Sequence, residues 1–106
     1  KLLQAEARLN GATGNGSAAA ALNTLRNARG VGDLNGPVTM QEILDERRRE
    51  LVGEGHRFFD LKRLGRDIRK VQGRDDIPFS DPRVLDDLPP DQLDVNPELE
   101  QNPGYN

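Results

Sequence analysis

Helical spacing of small and aliphatic residues dominates the start of the chain. Apolar residues recur at this spacing in residues 2–9 and again in residues 18–28. The loop between them reads NGATGNG, and its asparagines and glycines accept positive φ. Ser17 is a candidate N-cap for the second helix, and Gly30 stands where a left-handed C-terminal cap would lie. The pattern predicts an antiparallel αα-hairpin over residues 1–30.

The first helix has no capping residue in front of it. Lys1 opens the chain, so no Ser, Thr, Asp or Asn precedes the first apolar residue. We therefore expect the chain to be one piece of a longer protein. Any signal peptide, lipid-anchor cysteine or further N-terminal domain would lie upstream of Lys1. We also expect the isolated 106 residues to fold poorly.

A capping box predicts the start of a third helix near Met40. Thr39 and Glu42 stand at the spacing at which each side chain can bind the other residue's backbone N–H. Arg47 falls on the apolar face of this helix, which is unusual for a charged residue. The apolar positions of that face are Met40, Ile43, Leu44 and Leu51.

Glycines predict a break after the third helix. Gly53 and Gly55 weaken helical structure, so we expect a bend near residues 53–56. A fourth helix should follow from about Arg57 to Lys70, which makes residues 39–70 a helical pair. The side chains that this fourth helix would bury are Phe58, Leu61, Leu64 and Ile68.

The last third of the chain differs in composition. Six of the seven prolines lie between Pro78 and Pro103, and from residue 71 onward nine acidic residues face two arginines. Such a segment buries too little apolar surface to fold by itself. We expect residues 71–106 to form an extended, irregular tail laid over a larger body.

Composition and charge exclude several functions. The chain has no cysteine, which rules out disulfides and thiolate chemistry in these 106 residues. Its net charge of −3, with basic residues interleaved among acids, argues against nucleic-acid binding. No apolar run approaches the length of a membrane span. The sequence also lacks a nucleophile elbow and a phosphate-binding loop.

The acidic side chains of the third helix could be taken for a metal site. Glu42, Glu46 and Glu50 share one helical face, and His56 and Asp60 follow closely. The chain has a single histidine, however, and lacks the two-histidine spacing of a zinc helix. A structural charge face is the favoured interpretation. A metal-dependent hydrolase using Glu46, Glu50 and His56 stays as an alternative.

Two pairs of opposite charge flank the glycine break. Arg47 and Glu50 precede it, and Arg57 and Asp60 follow Gly55. An Arg–carboxylate pair among apolar neighbours could lock one helix onto the next. Binding of a ligand anion by Arg57 is the less favoured alternative. We predict a structural motif of Arg47, Glu50, Gly55, Arg57 and Asp60.

Aromatic platforms for a sugar are scarce. Sugars commonly stack on ring faces, yet the chain has no Trp, and Tyr105 is its only Tyr. Phe58 and Phe59 are expected to serve the core instead.

Three stretches in one order along the chain resemble a known family. ERRRELVGEGHRFFDLKR, residues 46–63, resembles the signature near the C-terminus of SusD/RagB-family proteins. LLQAEARL with ALNTLRNARG is similar to that family's helical-repeat hairpin, and LDVNPELEQNPGYN is similar to its closing NP-x-L-x-QNPGY. The stretch VLDDLPPDQLDVNP departs from the family pattern, because it is more acidic than the usual apolar run.

The resemblance implies an all-α fold of tetratricopeptide-like helical pairs, of which residues 1–106 would be the C-terminal segment. It implies a surface-exposed lipoprotein of the outer membrane, held to the membrane only through a lipid anchor outside this chain. Such a protein binds nutrients, with glycans favoured, and delivers them to a SusC-like TonB-dependent transporter without chemistry or a cofactor. The family's glycan-contacting aromatics usually lie earlier in the chain, so no ligand-binding residue can be carried over. The alternative is a tetratricopeptide-like module that binds a protein partner.

Overall fold

In a computed structural model, residues 1–70 and 74–105 are described. The predicted all-α class is confirmed, because the regular elements of this part of the chain are helices and the only strand-like pairing is one isolated bridge. Residues 71–73, where the predicted tail begins, and Asn106 lie outside the described residues. The helices are α1 Leu2–Leu9, α2 Ala18–Ala28, α3 Met40–Glu50, α4 His56–Arg63, a 3₁₀ helix Pro82–Val84, and α5 Pro90–Val95.

The chain divides into two compact units, Lys1–Arg57 and Phe58–Asn106. In the first unit, α1 packs against both α2 and α3. The core side chains are small or branched, and alanines on α1 and α2 allow the two helices to approach closely. The buried residues of this core are Leu2, Ala5, Ala21, Leu22, Val38 and Ile43.

The predicted helix caps of the first unit are present. The Ser17 hydroxyl accepts a hydrogen bond from the backbone N–H of Ala20 at 3.1 Å. Thr39 and Glu42 form the reciprocal capping box that their spacing predicted. Gly30 has φ of +70°, and it lets Val31 donate its N–H back to the Arg26 carbonyl at 2.9 Å. The boundaries of α2 and α3 are therefore set by local chemistry.

The face of α3 also agrees with the sequence pattern. Ile43 and Leu44 are fully buried, and Arg47 is buried with them. After Glu50 the helix stops, and α4 begins at His56. Gly53 and Gly55 lie between the two helices with positive φ.

The predicted end of the fourth helix at Lys70 is wrong. The helix α4 ends at Arg63, because Gly65 takes φ of +61° and the N–H of Arg66 turns back to the Leu61 carbonyl at 2.8 Å. Ile68 then pairs its backbone with Ile77 in an isolated antiparallel bridge, with N–H to O distances of 2.8 and 2.9 Å.

The tail of the second unit is less irregular than predicted. It contains the 3₁₀ helix Pro82–Val84 and the short helix α5, each of which carries proline in its first turn. Proline suits that position because its missing N–H would have no helical partner there. Val84 and Leu61 are the buried hydrophobic residues of this unit among the described positions.

Candidate functional site

Glu46 binds two arginines. Its Oε2 accepts a hydrogen bond from Arg26 at 2.6 Å and another from Arg49 at 3.1 Å. The side chains of Arg26 and Glu46 are only 12% and 10% exposed. Arg26 also donates through Nε to the Gly32 carbonyl at 2.8 Å. The Arg26–Glu46 pair therefore links α2, the following connector and α3 with charge-assisted bonds that water screens weakly.

Glu50 binds Arg29, the C-cap residue that follows α2. Arg29 Nε lies 3.0 Å from Glu50 Oε2, and its Nη2 also contacts Oε1, so the pair is bidentate. The hydrogen bonds from Arg29 lower the pKa of the Glu50 carboxyl below its usual value. The same contact raises the pKa of Arg29, so both groups favour their charged forms. This pair is more open to water than the first, since Arg29 is well exposed.

The two pairs form a ladder, defined here as Arg26–Glu46 and Arg29–Glu50. Arginines three apart at the end of α2 meet glutamates four apart on α3. Both spacings place side chains on one helical face, and this lets the two contacts form together. The sequence stretches RNARG and ERRRE, which carried the family resemblance, thus touch each other through these pairs.

Three of the five residues of the predicted motif, Glu50, Gly55 and Arg57, lie at the end of α3, in the turn that follows it and at the start of α4. Arg57 donates through Nη1 to the Leu44 carbonyl at 3.2 Å, and Gly55 has φ of +75° in the turn before α4. Glu50 binds Arg29, a partner that the sequence did not indicate. The predicted lock of the third helix onto the fourth stays a prediction.

The other two motif residues are buried charges. Arg47 lies on the apolar face of α3, and Asp60 lies in α4. Asp60 binds Arg63 one turn further along its own helix, with an oxygen-to-nitrogen distance of 3.1 Å. Burial of charged side chains is tolerated only when they are paired, so both positions are sensitive to substitution.

The metal-site alternative requires a cluster of ligand side chains, and the described part of the chain has none. No group of three histidine, aspartate or glutamate side chains lies close enough there to hold an ion. Glu46 and Glu50 are bound to arginines, which compete with a metal for the same carboxylate oxygens. His56 is exposed, and its Nε2 lies 3.6 Å from a carboxylate oxygen of Glu54.

A pocket of about 190 Å³ lies beside the ladder. Three acidic and two basic side chains line it, so it carries both signs of charge. The lining residues are Arg26, Leu34, Glu42, Asp45, Glu46 and Arg49.

The prediction that both phenylalanines of α4 serve the core is wrong. Phe59 is 66% exposed and Phe58 37% exposed. Their rings meet edge to face at a centroid distance of 5.5 Å, and Lys62 Nζ lies 5.8 Å from the Phe58 centroid. Helical spacing alone could not separate these positions from buried ones.

Comparison with known proteins identifies the family. Residues 2–81 match the model of the SusD family, which includes the SusD/RagB proteins. The chain belongs to the SusD family. The resemblance seen in the hairpin and in residues 46–63 is thereby confirmed, and the Arg–Glu ladder lies within the matched region of this SusD-family chain.

Two crystal structures of Bacteroides vulgatus proteins are similar to this SusD-family chain. A candidate sugar-binding protein is 31% identical with a TM-score of 0.81, over 99% of this chain and 27% of that one. A SusD superfamily protein is 38% identical with a TM-score of 0.70, over 99% of this chain and 26% of that one. The chain thus spans about a quarter of the length of each neighbour. No curated protein matches it.

The length and polarity of the helices of this SusD-family chain decide whether one of them could cross a membrane. Among the described residues, every helix is too short or too polar to cross a bilayer.

Proposed function

We propose that this chain is part of the helical scaffold of a cell-surface protein that binds nutrients, with glycans favoured. The observation that carries the proposal is membership of the SusD family together with 31% identity, across 99% of the chain, to a candidate sugar-binding protein. The bound nutrient would pass to a SusC-like TonB-dependent transporter. The protein would be a surface-exposed lipoprotein of the outer membrane, with its lipid anchor outside this chain.

Binding without chemistry is the second part of the proposal. The acidic residues with the most suggestive spacing, Glu46 and Glu50, bind arginines that connect α2 with α3. A carboxylate held by a guanidinium is a poor general base, because the proton it would accept competes with a strong existing contact. These side chains therefore support a role in the fold, and ligand contacts would come from residues outside this chain.

Isothermal titration calorimetry of the full-length protein against a panel of soluble oligosaccharides and polysaccharides tests the binding proposal. We expect saturable binding to at least one glycan, and chromatography of the sample should recover that glycan intact. Failure to bind any glycan, or the release of new reducing ends, would contradict the proposal. Binding of a peptide partner with no glycan binding would favour the protein-interaction alternative.

The transporter partnership needs a separate measurement. A tagged full-length protein should co-purify with a TonB-dependent transporter from detergent-solubilised outer membranes. Treatment of intact cells with protease should remove the protein if it faces the outside. Recovery of the protein without any transporter, or its complete protection in intact cells, would contradict these two parts of the proposal.

A further inference from the structure

Near its C-terminus the chain binds an earlier segment through a glutamine side chain. Gln101 Oε1 accepts the backbone N–H of Leu88 at 2.8 Å, and Gln101 Nε2 donates to the Leu88 carbonyl at 2.9 Å. One side-chain amide thus pairs with the donor and the acceptor of a single residue. In a β-ladder, a neighbouring backbone would make this pair of bonds.

Two further side chains extend the same interaction. Asn102 donates through Nδ2 to the carbonyl of Asp86, and the Tyr105 hydroxyl donates to the carbonyl of Leu85 at 2.7 Å. Leu85 has extended backbone angles, φ −100° and ψ 144°. Side chains of residues 101–105 therefore bind the carbonyls of Leu85, Asp86 and Leu88 and the N–H of Leu88.

Close packing at Gly104 brings residues 101–105 against the 3₁₀ helix. Gly104 has φ of +89°, and a Cβ at this position would lie 2.6 Å from the Cβ of Pro82. Only glycine fits both the backbone angle and the space. Beside this contact, Pro103 lines a pocket of about 440 Å³ together with Val84 and Leu85.

We propose that residues 101–105 form a C-terminal clasp, a strap that holds residues 85–88 in place and keeps the adjoining pocket formed. The clasp works because side-chain amide and hydroxyl groups form hydrogen bonds to backbone groups. In a helix or a sheet, other backbone groups would satisfy them instead. Release of the clasp would expose those backbone groups to water and withdraw Pro103 from the pocket wall. The clasp lies beyond residue 81, where the family match ends, so the match does not itself account for it.

Amide hydrogen exchange of the full-length protein tests the clasp. In the Gln101→Ala variant, both bonds to Leu88 are lost, and we expect its amide to exchange faster by about tenfold. Tyr105→Phe keeps the ring and removes only the hydroxyl, so exchange across residues 85–88 should rise by a smaller factor. The matched control is Gln92→Ala, which changes an exposed glutamine of α5 and should leave these amides unchanged.

Unchanged exchange at Leu88 in Gln101→Ala would overturn the proposal. Equal acceleration by the Gln92→Ala control would overturn it as well. Amides of α1 to α3 serve as the folding reference, since they belong to the other compact unit. If Gln101→Ala does not fold, Tyr105→Phe decides the question, because its structural change is the removal of one hydroxyl group.

Discussion

At the scale of single residues, Glu46 makes the better shielded of the two Arg–Glu contacts between α2 and α3. It joins α3 to Arg26 on α2 with little access to water, whereas Glu50 makes a similar bond to Arg29 at a more open position. Removal of one partner from a desolvated ion pair lowers the stability of the protein more, because the remaining charge has no partner and little water around it. The two glutamates are therefore chemically alike but energetically unequal.

Glu46→Ala should lower the free energy of unfolding by about 3 kcal/mol, because it leaves Arg26 as an unpaired and largely buried charge. Glu50→Ala is the matched control and should cause a smaller loss, since water can solvate the Arg29 that remains. Urea denaturation of the full-length variants measures both changes. Equal losses for the two variants would contradict the assigned difference in burial.

Asp81 has a carboxyl whose pKa lies well below its ordinary value, because Arg83 binds it. Hydrogen bonds from the Arg83 side chain lower the pKa of its carboxyl from 3.8 to about 2. A depressed pKa in the folded state stabilises the fold above the unfolded value. That contribution should be complete above pH 3.8 and should be lost as the pH falls toward 2.

Arg83→Gln should raise the pKa of Asp81 toward its ordinary value, because the guanidinium bonds are lost. The backbone N–H of residue 83 would still bind Asp81 and keep part of the shift. Carboxyl NMR titration of the full-length protein gives the pKa directly. Arg74→Gln provides a control in the same unit, and a pKa that stays near 2 after Arg83→Gln would refute the assignment.

At the scale of helices, local chemistry determined what could be predicted. Ser17, Thr39 and Gly30 act through neighbours one turn away, so their sequence spacing was sufficient. The end of α4 was missed because the apolar spacing continues to Ile68, although Gly65 offered a signal for the stop. In the same way, Pro89 and Pro90 offered a signal for the start of α5.

Thr39→Ala should destabilise the protein by about 1 kcal/mol, because the first turn of α3 loses its side-chain acceptor. Thr39→Ser keeps a hydroxyl at the same position and should retain most of the stability. Chemical denaturation of both full-length variants makes the comparison. Equal loss in the serine and alanine variants would show that the hydroxyl does not cap α3.

Contacts between residues far apart in the sequence could not be predicted from sequence spacing. Arg29 and Glu50 are 21 positions apart, and no periodicity along one helix can pair them. The same holds for the bond from Gln101 to Leu88, which connects two segments without regular structure. These interactions depend on the packed arrangement of the chain, so they became visible only in the structure.

At the scale of the whole molecule, the chain leaves large apolar side chains on its surface. Leu3, Val52 and Val95 are all mostly exposed. The core of the first unit is small, and the second unit buries still fewer apolar residues among the described positions. Small cores provide little margin over the conformational entropy lost on folding.

The isolated 106 residues should therefore unfold without a sharp transition. Thermal denaturation followed by circular dichroism measures this, with the full-length protein as the reference. A steep, reversible transition in the isolated chain would contradict the expectation that it depends on further structure.

Glycan affinity of the Glu46→Ala variant tests the scaffold role most directly. The measurement is calorimetric titration of the full-length variant and the unmodified protein with a glycan that the latter binds. If this chain supports the fold while ligand contacts lie elsewhere, the folded variant should be less stable yet keep an unchanged Kd. A large loss of affinity without a loss of stability would contradict the account.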